Sequence, residues 1–272
     1  MDTKIDTLSV FFLIKFLFFF KLLYMGYVYD FKDAVAYEQW LHNPRNQIAV
    51  ELESRLMLDM LKPAHGESML DIGCGAGASL LPFLEMGLQL TGLDPSPYML
   101  DIAVKKIENR ADFHRGFAED LPFEDNSFNF ACLITTLEFV KDPKKAIEEA
   151  CRVAKDRIFI GILNRYAIKG IQRKVKGIFK ETIYNHAHFF SIWELKKMIR
   201  FILGDVPISW KTVCQFPTPS GKIIHRLEQS NLVQRCPFGA FVGIVVILVP
   251  RYRTRPLSIK YHAKHRRGAV VG

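Results

Sequence analysis

The sequence is poor in the residues that build disulfide frameworks and metal clusters. Five cysteines, Cys74, Cys132, Cys151, Cys214 and Cys236, are scattered over 272 residues, an odd count with no C-x-x-C spacing. This argues against a disulfide scaffold or a zinc site, and for a reducing compartment such as the cytoplasm. There is no internal repeat and no low-complexity tract. No Pro-Cys pair occurs either, which removes the nucleophile of a cytosine C5-modifying enzyme. Acidic residues are outnumbered: 28 Asp and Glu face 37 Lys and Arg, for a formal net charge of +9. That balance permits an anionic partner (nucleic acid, a lipid surface or an acidic small molecule) without choosing among them.

What the chain does contain is apolar material. Hydrophobic residues make up 49% of it, with 22 Phe, enough for one sizeable core. Between residues 35 and 62 the apolar positions Leu52, Leu56, Met57 and Met60 recur at helical spacing. From 66 to 163 strand-like and helix-like segments alternate, the pattern of a parallel sheet covered by helices on both faces. Strands are expected at 68–72, 88–93, 111–117, 128–134 and 157–163, and a helix from Ala78 to Glu85 closed by Gly87. Ser96-Pro97 and Asp142-Pro143 each read as an N-cap followed by a first-turn proline. The helix after Asp142 is expected to bury Ala146, Ile147, Ala150, Cys151 and Ala154. Ser191 to Glu194 has capping-box spacing.

Asp71-Ile72-Gly73-Cys74-Gly75-Ala76-Gly77 follows the first strand. A glycine-rich turn there lets the backbone bend sharply and lets a ligand approach to contact distance. In open α/β sheets ligands bind outside the carboxyl ends of the strands, near the switch in strand order. The motif alone is ambiguous, because Gly73, Gly75 and Ala78 also satisfy the dinucleotide pattern G-x-G-x-x-G/A. Asp94, about 20 residues further on, suits a ribose-binding acid in either case.

The downstream residues separate the two. Gly116-Phe117-Ala118-Glu119-Asp120-Leu121-Pro122-Phe123-Glu124-Asp125-Asn126-Ser127-Phe128 resembles the G-D-A-E-x-L-P-F-x-D-x-S-F segment of the small-molecule branch of class I S-adenosylmethionine-dependent methyltransferases (methyltransferase type 11). The ubiquinone and menaquinone biosynthesis enzymes belong to that group. Leu137-Glu138-Phe139-Val140 with Asp142-Pro143 resembles their L-E-H-V-x-D-P. Asp71 to Gly77, and Leu93 to Ser96 with Met99-Leu100, match the first two family motifs in order and spacing.

The resemblance implies a doubly wound, Rossmann-like α/β fold: a seven-stranded sheet whose last strand is antiparallel, with strands six and seven at 206–213 and 241–249. It implies S-adenosylmethionine as cofactor and an in-line displacement at the sulfonium methyl. Gly73, Cys74, Gly75 and Gly77 would wrap the methionine moiety, with Asp71 near its amino end. Asp94 would accept hydrogen bonds from both ribose hydroxyls. Pro95 and Met99 would pack on the adenine, Ala118 and Glu119 would meet its edge, and Thr135 would face the methyl group. Tyr37, Trp40, Asn43-Pro44-Arg45 and Glu51 resemble a family lead-in that could lid the cofactor. Three positions depart from the pattern: Phe117 and Asn129 replace aspartates, and Phe139 replaces the histidine that would suggest a general base. No catalytic base and no metal ligand set are assigned. His186 and His188 read as pocket or packing residues.

The division that follows is an apolar segment 1–28, a methyltransferase domain 29–250 with its cofactor half at 66–163, and a basic tail 251–272. The segment from Cys214 to Gly239 reads as an insertion with a short helix around Ile223 to Gln229. The motif set favours a small or lipophilic acceptor. RNA or protein is the alternative that the basic stretches from Arg165 to Lys180 and from Arg251 to Arg267 would suit. A cofactor-binding protein without catalysis is a third reading. Residues 8–28 carry Lys15 and Lys21 inside an apolar run and lack a small-residue cleavage site, so a secretory signal is doubtful. They could be an interfacial anchor at a membrane surface, a membrane span, or upstream sequence ahead of a start at Met25. The last is favoured, since the motifs need nothing before Tyr37. Oligomeric state is not legible.

Overall fold

Strands buried on both faces read as near-continuous apolar runs, and the central strands here do, with Asp71 the buried charged exception. In the computed structural model, which describes residues 26–167, 185–215, 228 and 230–248, they form one sheet. Its strands are β1 (Ser68–Ile72), β2 (Gln89–Asp94), β3 (Asp112–Arg115), β4 (Phe128–Ile134), β5 (Ala154–Leu163), β6 (Ile208–Val213) and β7 (Phe241–Ile247). The spatial order is β3-β2-β1-β4-β5-β7-β6. Neighbours from β3 to β5 run parallel, and β7 runs antiparallel to both β5 and β6. This is the seven-stranded sheet expected above, with the strand order reversing between β1 and β4. The apolar segment before residue 26, most of the basic stretch after Arg165, the basic tail and, apart from Glu228, the helix expected at Ile223 to Gln229 lie outside the described residues.

The helices are α1 (Phe31–His42), α2 (Pro44–Leu61), α3 (Pro97–Ile107), α4 (Pro143–Val153), α5 (Ile192–Leu203) and the short α6 (Asn231–Gln234). Their starts follow cap chemistry. Ser96 Oγ accepts from Met99 N at 3.3 Å, Asp142 Oδ1 accepts from Lys145 N at 3.1 Å, and Ser191 with Glu194 closes a capping box. Each such cap is worth about 1 kcal/mol. The helices α4 and α5 bury their apolar sides in one core layer, with Ala146, Ile147, Leu195 and Ile199 against β4, β5 and β7. On the other face Leu52, Leu56 and Met57 of α2 and Ile107 of α3 pack with Met69, Phe130 and Phe159.

Some details differ from the sequence expectation; one is Cys151 of α4, which is half-buried where full burial was expected, because it sits at the edge of the helix face against the core. The helix expected from Ala78 to Glu85 is a tight 3-10 segment, Leu81–Met86, closed by Gly87 in the left-handed conformation. The preceding loop spends its residues on the glycine turn, and Pro82 in the first turn has no N–H to give a longer α-helix. The helix α4 ends at Val153, so Ala154 is buried at the start of β5 instead.

The departure at Asn129 has a clear structural basis. Its Oδ1 accepts from Ser68 N (3.0 Å) and Ser68 Oγ (3.1 Å), while its Nδ2 donates to Asp156 at 3.0 Å. An aspartate could not donate, and would face a second carboxylate.

The Leu-Pro-Phe segment is held from α4. Glu149, buried despite its charge, accepts from Leu121 N at 3.0 Å and pairs with Arg152 at 2.7 Å. Arg152 also donates to Phe123 O (2.7 Å), Leu121 O (3.0 Å) and Asp125 Oδ1 (3.0 Å). Both guanidinium and carboxylate hold well-directed bonds, so removing one strands the other. Arg152→Met is therefore expected to cost about 2–4 kcal/mol, less than for a fully buried pair because Arg152 is partly exposed. Chemical denaturation measures this, and a loss below about 0.5 kcal/mol would count against it.

Candidate active site

The glycine turn folds back over the end of β2. Gly73 N and Cys74 N both donate to Leu93 O, at 2.7 and 3.0 Å. Gly73 has φ +74°, and a Cβ there would stand 2.5 Å from Cγ2 and Oγ1 of Thr136. Thr136 is itself fixed, its Oγ1 donating to Ile72 O at 2.8 Å. No side chain fits at 73, which is the sequence requirement the motif encodes.

Asp94 closes the turn from the end of β2. Its Oδ2 accepts from Gly75 N at 2.9 Å and its Oδ1 from Ser96 N at 2.8 Å. Both oxygens keep acceptor capacity, since an ionised carboxylate offers about four lone-pair sites. Burial raises its pKa, opposed by the Ser96 and Gly75 N–H groups. Asp71 lies behind the turn, fully buried. Its Oδ2 accepts from Ser79 Oγ, while its Oδ1 finds no hydrogen-bond partner among the described residues. Burial pushes its pKa to about 7, with Ser79 opposing and the charge of Asp94 adding to the rise. Burial also raises the Cys74 thiol well above the ordinary range, so that thiol is no nucleophile.

The glycine turn and Asp94 border a cavity of 1220 Å³. Of the sequence-derived set, Gly73, Cys74, Gly75, Asp94, Pro95, Met99, Ala118, Glu119 and Thr135 line it. Asp71 and Gly77 are not in the lining. Thr135 sits just past β4 with φ +53°, an unusual conformation for a β-branched residue, its N–H donating to Gly161 O at 2.7 Å. Glu119 Oε1 accepts from Lys141 N (2.8 Å) and Asp142 N (3.2 Å). It thereby ties the segment after β3 to the turn after β4. Phe117 is exposed at the rim of the same cavity.

The rest of the wall comes from before the first strand. Tyr37 and Trp40 of α1, stacked with centroids 6.0 Å apart, line the cavity together with Val50, Glu53 and Met57 of α2. Glu51 instead pairs with Arg55 on the exposed side of α2. Sequence reasoning missed residues 26–30, which cross the cavity as a strap. Tyr27 N donates to Phe139 O at 2.7 Å, and Ser96 Oγ donates to Tyr29 O at 2.6 Å. A Cβ at Gly26 would come within 2.9 Å of Lys141 N, so the strap lies flat against the turn after β4. The available signal was the Tyr27-x-Tyr29 pair leading into the capping box Asp30 to Asp33. His186 lines the cavity and His188 does not. Among the described residues no group of three or more His, Cys, Asp or Glu side chains could hold a metal ion.

The arrangement suits a ligand that combines hydroxyl donors with positive charge. Asp94 offers acceptors to hydroxyls, and a buried, unsatisfied carboxylate oxygen stands behind a turn that only glycine can form. S-adenosylmethionine has both features.

Comparison with known proteins agrees. Residues 70–159 match the family model of a methyltransferase domain. An uncharacterized protein of Methanocaldococcus jannaschii is 35% identical over 175 residues, covering 64% of this chain and 78% of that one. A demethylmenaquinone methyltransferase of Renibacterium salmoninarum is 39% identical over 101 residues, which are 37% of this chain and 42% of that protein, so the match spans less than half of that relative's length. Among solved structures, an S-adenosylmethionine-dependent methyltransferase of Thermotoga maritima, described as a possible histamine N-methyltransferase, superposes with a TM-score of 0.60 at 26% identity. The superposition covers 80% of this chain and 96% of that one. Sheet order, glycine turn and relatives together place this chain in the class I S-adenosylmethionine-dependent methyltransferases.

Proposed function

We propose that this chain transfers the methyl group of S-adenosylmethionine to a small, lipophilic acceptor held beneath the aromatic strap. The observation that carries this reading is the size and lining of the cavity. At 1220 Å³ it exceeds the about 300–1,000 Å³ usual for one small ligand, leaving room for a second molecule. Its lining includes Tyr27, Trp40, Met57, Leu163 and Phe241, surfaces that favour an apolar guest. The similarity to demethylmenaquinone methyltransferases supports the same class of acceptor.

In this reading Gly73, Cys74 and Gly75 wrap the methionine moiety, Gly77 instead lets the turn pack on α3, where a Cβ would stand 2.7 Å from Ile107 Cδ1, and Asp71 supplies negative charge behind the amino group. Asp94 accepts from the ribose hydroxyls. Pro95 and Met99 pack on the adenine, Ala118 and Glu119 lie at its edge, and Thr135 faces the methyl group. The cofactor supplies an activated methyl on a cationic sulfur. The protein positions the acceptor in line with it and excludes water.

The test is transfer of label from methyl-labelled S-adenosylmethionine, offered a prenylated 1,4-naphthohydroquinone, bulk tRNA and total protein in parallel. Label in the solvent-extractable small product is expected. Label in RNA or protein alone would overturn the acceptor assignment, and binding without transfer to any of the three would point to a non-catalytic protein.

A further inference from the structure

The family's histidine after Glu138 is Phe139 here, which leaves the reaction without its expected base. Yet an imidazole reaches the same aromatic cluster from another element. Tyr27 of the strap packs against Phe139 with centroids 6.4 Å apart. On the ring of Tyr27 the imidazole of His186 stacks, with centroids 4.3 Å apart and planes 5° from parallel. All three side chains line the cavity.

Tyr27 is held so that it can position its neighbour. Its backbone N–H donates to Phe139 O at 2.7 Å and its hydroxyl to Asp33 Oδ2 at 2.5 Å. His188 is differently employed. Its backbone N–H donates to Glu138 O at 2.8 Å, its ring packs edge-on to Phe190 at 4.6 Å, and its Nε2 lies 3.4 Å from Arg165 Nη2.

We propose that His186, held by the Tyr27 ring, is the proton acceptor for the methyl-receiving group, taking over the task of the imidazole absent at position 139. The inference rests on the methyltransferase reading and deepens it, since it makes the acceptor a molecule whose nucleophile carries a proton, such as a phenol or hydroquinone. The acceptor hydroxyl gives its proton to a ring nitrogen of His186. Its oxygen forms the bond to the methyl carbon as the carbon–sulfur bond breaks. The electron pair of that bond stays on sulfur, which leaves as a neutral thioether, and the imidazolium later releases the proton to water at the exposed side of the ring. Imidazole suits the task because its ordinary pKa lies within the physiological range. Among the described residues, the neighbouring acids at this end are engaged. Tyr27 donates to Asp33, Asp30 and Asp33 form the α1 capping box, and Glu119 and Asp142 accept backbone N–H groups. Glu53 on α2 is the competing candidate.

The test uses the full chain saturated with S-adenosylhomocysteine and 4-nitrophenol as probe, whose phenolate absorbs visible light apart from the neutral form. Bound to the wild type, the probe should ionise about one pH unit below its value in water, because the proton has a local acceptor and the resulting imidazolium favours the anion. His186→Gln should abolish that shift, leave the affinity for S-adenosylhomocysteine unchanged by calorimetry, and lower kcat about 10²- to 10⁴-fold with the acceptor found above. Added imidazole should restore part of the rate in His186→Ala, which a purely structural role would not allow. The proposal is overturned if the probe binds as the neutral phenol, if His186→Gln keeps the shift, or if Glu53→Gln removes it instead. Failure of S-adenosylhomocysteine to bind the wild type would sink the methyltransferase reading itself, a separate result.

Discussion

Replacing Asp94 by alanine should weaken S-adenosylmethionine binding at least tenfold, and towards a hundredfold. The carboxylate sits at the end of β2 with both oxygens able to accept more than the single backbone bond each already has. A ribose hydroxyl donating to a charged acceptor is worth about 1.5–3 kcal/mol, and about 1.4 kcal/mol is a factor of ten, so the net loss of one such bond already gives the tenfold to hundredfold range. Part of the loss is indirect. Without Asp94 the N–H groups of Gly75 and Ser96 lose their acceptor, so the glycine turn loosens and the apparent melting temperature should fall too. Asp94→Asn separates the effects: its one carbonyl oxygen cannot replace two carboxylate oxygens, but it fills the same volume. Calorimetry on the three proteins decides the matter, and an alanine variant with wild-type affinity would remove Asp94 from the cofactor site.

The second large effect is a dependence on pH centred on Asp71. Its carboxyl is buried without a cation, and its pKa is pushed from the ordinary 3.8 to about 7. The folded chain therefore holds a proton there that the unfolded chain gives up from about pH 4 upward. The folded state is favoured most below the unfolded pKa, and that advantage is lost as pH rises through about 7. At 1.36 kcal/mol per pH unit over that span, the ceiling is about 4 kcal/mol of stability lost by pH 8 in the absence of ligand. Asp94, also raised, titrates with the same sign. A bound cation reverses the trend, because it favours the ionised carboxylate. S-adenosylmethionine should thus bind more tightly at pH 8 than at pH 5, and should stabilise the chain most where the ligand-free chain is weakest. Asp71→Asn should flatten most of the pH slope of the ligand-free melting temperature and of the affinity. Thermal unfolding from pH 5 to 8, with and without cofactor, measures both. Equal slopes in wild type and variant would show that Asp71 is ionised throughout.

How much of this was legible beforehand depended on how local the physics was. Cap residues act on backbone groups two or three positions away, so Ser96, Asp142 and Ser191 announced their helices directly. The glycine turn was legible for the same reason, since a left-handed backbone at Gly73 excludes other residues. The length of the 3-10 segment after it was not, because it depends on how much chain the turn consumes. Asn129 looked like a departure from a pattern, and only its partners Ser68 and Asp156, far off in sequence, showed why an amide is required.

By itself, the sequence determined a parallel α/β sheet, the glycine turn and the place of Asp94 after the second strand, because these follow from periodicity, caps and spacing within a single α/β run; the seven-strand order with its antiparallel last strand came from the family resemblance. The tertiary structure alone decided what else lines the cavity beside the glycine turn. Residues 26–30, Phe139 and His186 meet there across more than a hundred positions of chain, by ring packing and backbone bonds that leave no periodic trace. The same applies to the proton on Asp71, whose sequence neighbours say nothing of the dielectric around it: only burial by the whole fold raises its pKa, so only the fold reveals it.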